Sequence, residues 1–496
     1  MPNTVNTRYG ADKINKFLER GNRLFFVGIG GINMCSLAVI AARRGFAVTG
    51  SDKSDSEVTR GLMLDGINVI SGHSRENIIG GDGEIKADML IYTVSVPTDN
   101  PEYAAAGEAG IPRVSRADFL GWLMHDYRHR IGISGMHGKS TTTGMAASIL
   151  LSADCNPTIS SGAVMPQLGR SYRAGDYNDG QNEYFLYEAC EYKDSFLSFY
   201  PTVSVILNID MDHPDYFPDL DAIKTSFRKN LALVRDFAVV NWSDANVREV
   251  CDCIDGSKLI KFGTELDGAD SEREPAGRYD FYARDINLGA AQSCFTIYKH
   301  GEPYAKITLH DAGLHNVRNA VAAAAAADAA GIPVSAVCYG LESFTGAARR
   351  MEFICKTAAG ADVYSDYAHH PTEIAATLDT ARRLGGRLVC VFQPHTYTRL
   401  RALFDGFASA LSRCDAVILA DVYGARETDT LGVGSALLAD AVNGAGGNAL
   451  YLGGDFGKIA DYVSSPAVAG AGDTVVVMGA GNINSVLSYI TRGDMV

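Results

Sequence analysis

An apolar run at 24–27 enters the turn Gly28-Ile29-Gly30-Gly31, and apolar positions then recur at helical spacing through Met34, Leu37, Ala38, Ile40 and Ala41. Gly45 interrupts, and Phe46-Ala47-Val48-Thr49-Gly50 predicts the next strand. Strand, glycine turn, helix and strand in that order open a nucleotide-binding α/β unit. The alternation runs on through a strand at 89–92 and a short helix around 103–106, ending near Trp122. The polar, basic stretch 125–130 reads as a linker. Beyond it the apolar strand 131–134 feeds a glycine loop and a helix to Leu151, and two more strands follow at 184–187 and 203–207. The acidic, glycine-rich stretch 264–277 is expected to be a surface loop, followed by β ribbon at 279–286, 293–298 and 304–309. An alanine-rich helix at 316–330 has side chains small enough to pack tightly on a sheet. A second linker is expected at 345–348, after which strands near Asp362 and at 388–392, 416–419 and 474–477 repeat the rhythm. The pattern predicts an α/β protein of three domains without short repeats. These are a Rossmann-like domain over 1–128, a central P-loop-ATPase-like domain over 129–345 and a second Rossmann-like domain over 346–496.

Composition narrows the partners. A length of 496 residues suits several domains, and 47% hydrophobic with 21% charged residues gives each one a core. The net charge of −14 repels a phosphate backbone, so nucleic acid is not expected and an anionic substrate must be held by specific local groups. The 10 cysteines are scattered with no C-x-x-C pair, as in reduced intracellular proteins. The polar amino-terminal segment carries no signal-like apolar stretch, and the small-apolar run 321–327 stops at Asp328, short of the roughly 20 residues a membrane span needs. A soluble cytoplasmic protein is expected, with no membrane partner; its oligomeric state is left open.

The most specific chemistry lies in Gly135-Met136-His137-Gly138-Lys139-Ser140-Thr141, between a strand and a helix. Glycines let backbone N–H groups curl around phosphate oxygens, and the following helix adds its positive end. Lys139 is suited to the outer phosphates and the Ser140 hydroxyl to a magnesium ion. The spacing is shorter than the usual phosphate loop, because Ile133 occupies the first glycine position. Two other strand ends offer metal ligands: Glu188, Glu191 and Asp194 after one, Asn208, Asp210, Asp212 and His213 after the other.

With these residues in order, the chain resembles the Mur ligases of peptidoglycan synthesis over nearly its whole length. The resemblance is carried by Phe26 to Gly31, by Gly50-Ser51-Asp52, by Asp99-Asn100-Pro101-Glu102 and by the Lys139 loop. It continues through Glu188-Ala189-Cys190-Glu191, Asp212-His213, His315-Asn316-Val317-Arg318-Asn319, Arg349-Arg350, the run from Asp366 to Glu373, and Phe392-Gln393-Pro394-His395 with Tyr397-Thr398-Arg399. It implies an ATP-dependent ligase whose partners are UDP-N-acetylmuramate and L-alanine, with Mg2+ held by Ser140, Glu188 and His213. Gly28, Gly30, Gly31 and Asp52 would bind the sugar nucleotide. Gly135 to Thr141, Asn316, Asn319, Arg350 and Asp366 would bind ATP. His370, His395 and Arg399 would serve the amino acid. Ser140 keeps the hydroxyl of the family's usual threonine, and Thr396 stands where many members have arginine, which leaves Arg399 as the carboxylate anchor.

The implied reaction passes through an acyl phosphate, with Lys139 and Arg350 stabilising the transferred phosphoryl group. The proton acceptor is left open among His369, His370 and His395, with His369 and Arg399 grouped with the catalytic residues. Three competing readings remain at this point. A ligase of the same fold acting on a murein tripeptide or folate is one. An oxidoreductase using Gly28 and Gly30 for a dinucleotide, with Asp52 on its ribose, is the second, but it leaves Lys139 unexplained. A non-catalytic nucleotide-binding regulator is the third, and it leaves the metal and arginine candidates without a role.

Overall fold

The computed structural model describes residues 4–19, 21–177, 182–267, 277–425 and 427–492. Most of the expected acidic loop, 268–276, lies outside the described residues. Three α/β domains form, each on its own sheet.

The first sheet is parallel throughout, in the order Asn68–Ser71, Ala47–Asp52, Arg23–Val27, Met89–Tyr92, Arg113–Ser115. The chain builds outward in one direction from Arg23–Val27, then crosses to its other side at Met89–Tyr92. That reversal opens a crevice at the carboxyl ends of the two strands, where Gly28 and Thr93 stand. The helix Ile32–Arg43 lies over the sheet with its run from Met34 to Ala41 wholly buried.

The central sheet has ten strands. Leu259–Thr264, Phe237–Asn241, Val203–Ile206, Tyr127–Ser134, Asn182–Glu188 and Thr158–Met165 form its parallel middle. Phe281–Leu288, Ser293–Lys299 and Glu302–Leu309 add the expected ribbon at one edge, and Arg170–Arg173 closes the other as a hairpin. The helix Leu314–Ala329 buries alanines 322–327 against this sheet, since methyl side chains allow a close approach. The stretch 125–130 is not a linker. From Tyr127 onward it is strand, with His129 opposite Tyr184 and Arg130 opposite Phe185. Arg130 is buried, and its guanidinium donates to the carbonyls of Tyr200 at 2.6 Å and Tyr127 at 3.0 Å. A cation whose donors are satisfied by carbonyls is compatible with a core strand.

The third sheet runs Glu352–Lys356, Asp362–Asp366, Thr474–Met478, Leu388–Phe392, Ala416–Leu419, Ala449–Tyr451 and is parallel except for its first strand. Its two middle strands are buried at every position, as helices on both faces require. Among the described residues no helix is long and apolar enough to cross a membrane.

Candidate active site

The phosphate loop is built by asparagines as much as by glycines. Gly135 and Gly138 both take left-handed φ values, 131° and 83°. A Cβ on Gly138 would stand 2.8 Å from Asn319 Oδ1, and one on Gly135 only 3.1 Å from the Asn208 amide. Glycine is therefore required twice, by curvature and by crowding. Asn208 then clamps the loop at His137, accepting its N–H at 2.8 Å and donating to its carbonyl at 2.9 Å.

Lys139 turns back into this loop. Its Nζ donates to the Gly135 carbonyl at 2.5 Å and meets both Glu191 oxygens at 3.0 and 3.1 Å. Burial disfavours its charge, but Glu191 outweighs burial and pushes the ammonium up to about 12. Glu191 is 1% exposed and also faces His213 Nε2 at 3.2 Å. Burial alone would raise its carboxyl, yet Lys139 and the hydrogen bond with His213 hold it below the usual range. Glu188, one strand end away, accepts from Ser161 Oγ at 2.8 Å and the Gly162 N–H at 2.7 Å through Oε1. His213 thus meets Glu191 rather than Glu188.

The third domain docks directly on this loop. His137 sits 3.5 Å from Asp210 and 3.4 Å from Glu373 of the third domain, and its ring packs on His370 with centroids 4.5 Å apart. Burial works against a charged ring here, but the two carboxylates prevail and push His137 up to about 9. Thr372 donates to Asp210 at 2.8 Å, and Arg399 meets Asp212 at 2.9 Å with both side chains almost wholly buried. His137, Asp210 and His370 each bring one potential metal-ligand atom within 4.8 Å of the others. In this arrangement the two carboxylates and the His137 ring form an ion-pair cluster. His370 was expected to touch substrate, and the structure gives it another task. Its Nδ1 accepts from the Thr372 N–H at 3.3 Å, capping the helix Pro371–Arg382, while Nε2 bonds the Met211 carbonyl at 3.0 Å. His369 and His395 are held neutral, chiefly by burial, down to about 3 and about 4.

Between these domains lies a cavity of about 520 Å³ that reaches from His137, Gly138 and Thr141 past Asn316 and Asn319 to Arg350 and Asp366. Asp366 also holds the domain junction: it accepts from the Met351 N–H at 2.8 Å and the Ala368 N–H at 2.7 Å. That turn aims Arg350 into the cavity, 3.9 Å from Glu373.

A second cavity, of about 980 Å³, fills the crevice of the first sheet and is lined by Gly28, Gly31, Asp52, His73 and Arg116. Gly30 has a different part. A Cβ there would stand 2.9 Å from Asp52 Oδ2, and its N–H instead donates to that oxygen at 2.9 Å, locking the turn. Arg116 carries no carboxylate partner among the described residues, and burial lowers its guanidinium. Cys190 lies within electrostatic reach of both Arg116 and Lys139.

The same division appears in known proteins. Residues 23–128, 133–327 and 349–481 match, in order, the Mur ligase family catalytic domain, the Mur ligase middle domain and the Mur ligase glutamate ligase domain. The UDP-N-acetylmuramate–L-alanine ligase of Caldicellulosiruptor saccharolyticus is 42% identical over 476 residues, 95% of this chain and 98% of that one. The chain belongs to the Mur ligase family. The ligase of the same name from Agathobacter rectalis is 40% identical over 93% of this chain and 95% of its own. Among solved structures, the UDP-N-acetylmuramate-alanine ligase of Thermotoga maritima superposes with a TM-score of 0.76 at 25% identity, covering 95% of this chain and 99% of that one. A murein peptide ligase from Psychrobacter arcticus shares the fold, with a TM-score of 0.68 at 24% identity over 96% of this chain and all of that one.

In this Mur ligase the structure brings Asn316, Asn319, Arg350 and Asp366 around one cavity, with Lys139 turned back into the phosphate loop, and Gly28, Gly31 and Asp52 around the other. Met136 is turned inward and buried, so it supports the loop rather than lining the cavity. His369, His395 and Arg399 cluster at the seam, where Arg399 donates to His395 Nδ1 at 3.2 Å and the His369 and His395 rings lie 5.9 Å apart. Sequence reasoning passed over Arg116, Glu373 as a partner of Arg350, and the clamp role of Asn208. The last was within reach, because Asn208 directly follows a strand that ends beside the phosphate loop.

Proposed function

We propose that this Mur ligase joins L-alanine to the carboxylate of UDP-N-acetylmuramate, driven by ATP and passing through an acyl phosphate. The observation that carries the reading is the pair of cavities, one running from the phosphate loop to Arg350 and the other in the crevice of the first sheet with Arg116 in its lining. A nucleotide-sugar carboxylate held by the first domain is thereby delivered to the phosphoryl group held by the second. The alanine ligases at about 40% identity support the choice of substrates.

ATP lies along the smaller cavity, with its phosphates at the loop and its base towards Asn316. Lys139 leaves Glu191 and the Gly135 carbonyl to meet the phosphates, and Arg350 closes on them from the third domain. The residues that would hold a divalent cation are Ser140 through its hydroxyl, Glu188 through Oε2, which is clear of the hydrogen bonds made by Oε1, and His213 through its imidazole. Magnesium, when bound, would offset charge on the β and γ phosphates. Arg116 holds an anionic part of the sugar nucleotide and orients its carboxylate. Arg399 takes the carboxylate of alanine, and the neutral His369 and His395 rings offer lone pairs to its amine. A reaction that consumes ATP and a nucleotide-activated sugar belongs in the cytoplasm.

The direct test mixes the protein with ATP, magnesium, UDP-N-acetylmuramate and one amino acid at a time, and measures phosphate release. Release is expected with L-alanine; its absence defeats the proposal, and release with a murein tripeptide alone replaces it with the tripeptide ligase. Arg116→Ala is expected to raise the KM for the sugar nucleotide roughly 10- to 100-fold, the worth of hydrogen bonds to a charged group. An unchanged KM would remove Arg116 from the substrate site.

A further inference from the structure

The smaller cavity is lined by five carboxyl groups: Asp210, Asp244, Asp311, Asp366 and Glu373. Four of them are occupied. Asp210 accepts from Thr372, Asp244 caps the Val247 N–H, Asp366 holds Met351 and Ala368, and Glu373 accepts from the His369 N–H while facing His137. Asp311 differs, because its Oδ2 is buried and has no hydrogen-bond partner. The chain carries it there from the strand Glu302–Leu309, just before Gly313 starts the alanine-rich helix. Leaving such an oxygen unsatisfied is costly, so a donor is missing from its surroundings.

The neighbours of Asp311 say where that donor lies along the nucleotide. Asn316 is its polar neighbour from the helix, and Arg350 and Asp366 reach it from the third domain. On the proposed course of ATP along this cavity, Asn316 meets the base and Arg350 the phosphates. The part of ATP that joins those ends is the ribose, and its free groups are two hydroxyl donors. Asp366 lies close by, but its oxygens already accept from Met351, Ala368 and Thr377.

We propose that Asp311 reads the sugar of the nucleotide, accepting a hydrogen bond from the 2′- or 3′-hydroxyl of ATP and so setting the preference for a ribonucleotide. The inference rests on the cavity being the ATP site and deepens that reading. Burial, with Asp366 adding to it against Arg350, pushes the Asp311 carboxyl up to about 7. A hydroxyl donated to the orphan oxygen offsets part of that burial in the ionised form.

The test is direct binding by calorimetry, using the full chain with ATP, 2′-deoxy-ATP, 3′-deoxy-ATP and the triphosphate of purine riboside, which lacks the adenine amino group. The wild-type chain is expected to bind ATP roughly 10- to 100-fold more tightly than at least one deoxy analogue. Asp311→Ala is expected to bind ATP as weakly as that analogue and to distinguish the two no longer, with the KM for alanine unchanged. Equal wild-type affinity for ATP and both deoxy analogues overturns the proposal. So does an Asp311→Ala variant that weakens ATP and the deoxy analogues by the same factor. A collapse confined to the purine-riboside comparison overturns it in favour of base recognition. Where Asp311→Ala fails to fold, Asp311→Asn keeps the shape and removes the charge. Its ATP-to-deoxy ratio must fall, and an unchanged ratio overturns the proposal. Binding needs no turnover, so the two readings fail separately. A wild-type chain that binds ATP but releases no phosphate with alanine defeats the ligase assignment and leaves the Asp311 comparison standing.

Discussion

Lys139→Ala is expected to reduce ATP-dependent phosphate release by about 10³-fold or more, the scale on which a preorganised charge acts on a transition state. The same substitution should also destabilise the protein, for a separable reason. Glu191 is 1% exposed and is held ionised by Lys139 and His213 together. Removing one partner of a buried pair costs about 3–5 kcal/mol when the other charge is left behind. His213 remains, so the lower end of that range is expected. Adding Glu191→Gln to Lys139→Ala should restore the unfolding temperature without restoring turnover. Thermal unfolding and phosphate release on the single and double variants separate the two effects, and full turnover by Lys139→Ala would end the role given to the lysine. The sign with pH follows from the carboxylate. Its folded-state value is depressed, so the pair stabilises above the ordinary glutamate range and is lost as acid protonates Glu191. Lys139, raised to about 12, stays charged throughout the neutral range.

The parts of this fold legible in the sequence are those where one face, or both, is apolar. The strands Arg23–Val27, Met89–Tyr92, Val203–Ile206, Leu388–Phe392 and Thr474–Met478 are mostly apolar because helices cover both sides of their sheets. Thr158–Met165 and Arg170–Arg173 escaped notice because they form the margin of the central sheet and carry Ser160, Ser161, Arg170 and Arg173, which make them read as loop. The stretch 125–130 misleads for a related reason. Its charge is real, but Arg130 satisfies its donors on backbone carbonyls inside the core, and composition does not record where a guanidinium points.

The candidate site divides along the same line. Contiguous motifs such as the Lys139 loop and the stretch from Asp366 to Glu373 can be read as strings, because their chemistry is local. Arg116 begins a helix, Arg116–Met124, with no motif around it, and only folding brings it within reach of Cys190. Glu191 was one acid among several after a strand; the structure singles it out by placing Lys139 on one side and His213 on the other. His370 shows how a motif residue can take a structural contact. Its neighbours Asp366 and Glu373 do line the smaller cavity, while its own nitrogens close a helix cap and a domain contact.

The seam at Arg399 gives the other large effect. Arg399 Nε meets Asp212 at 2.9 Å and Nη1 meets His395 at 3.2 Å, which leaves Nη2 to face an incoming carboxylate. A guanidinium steadied at two points presents its remaining edge in a fixed direction, which a lysine cannot do. Arg399→Ala is therefore expected to raise the KM for alanine by roughly 10- to 100-fold, the loss of a charge-assisted hydrogen bond. Asp212→Ala acts on the same guanidinium from the opposite side. It leaves Arg399 buried without its carboxylate, at about 3–5 kcal/mol, and should loosen the docking of the third domain on the second. Small-angle scattering of Asp212→Ala should show a larger radius of gyration than the wild-type chain, with a KM for alanine raised less than in Arg399→Ala. If Arg399 were only a latch between domains, both variants would expand the molecule equally and neither would change the KM for alanine. If it were only an anchor, Asp212→Ala would leave the scattering untouched. On the proposed function the buried pair requires both effects from one arginine, because the group that docks the domain is then also the group that receives the amino acid.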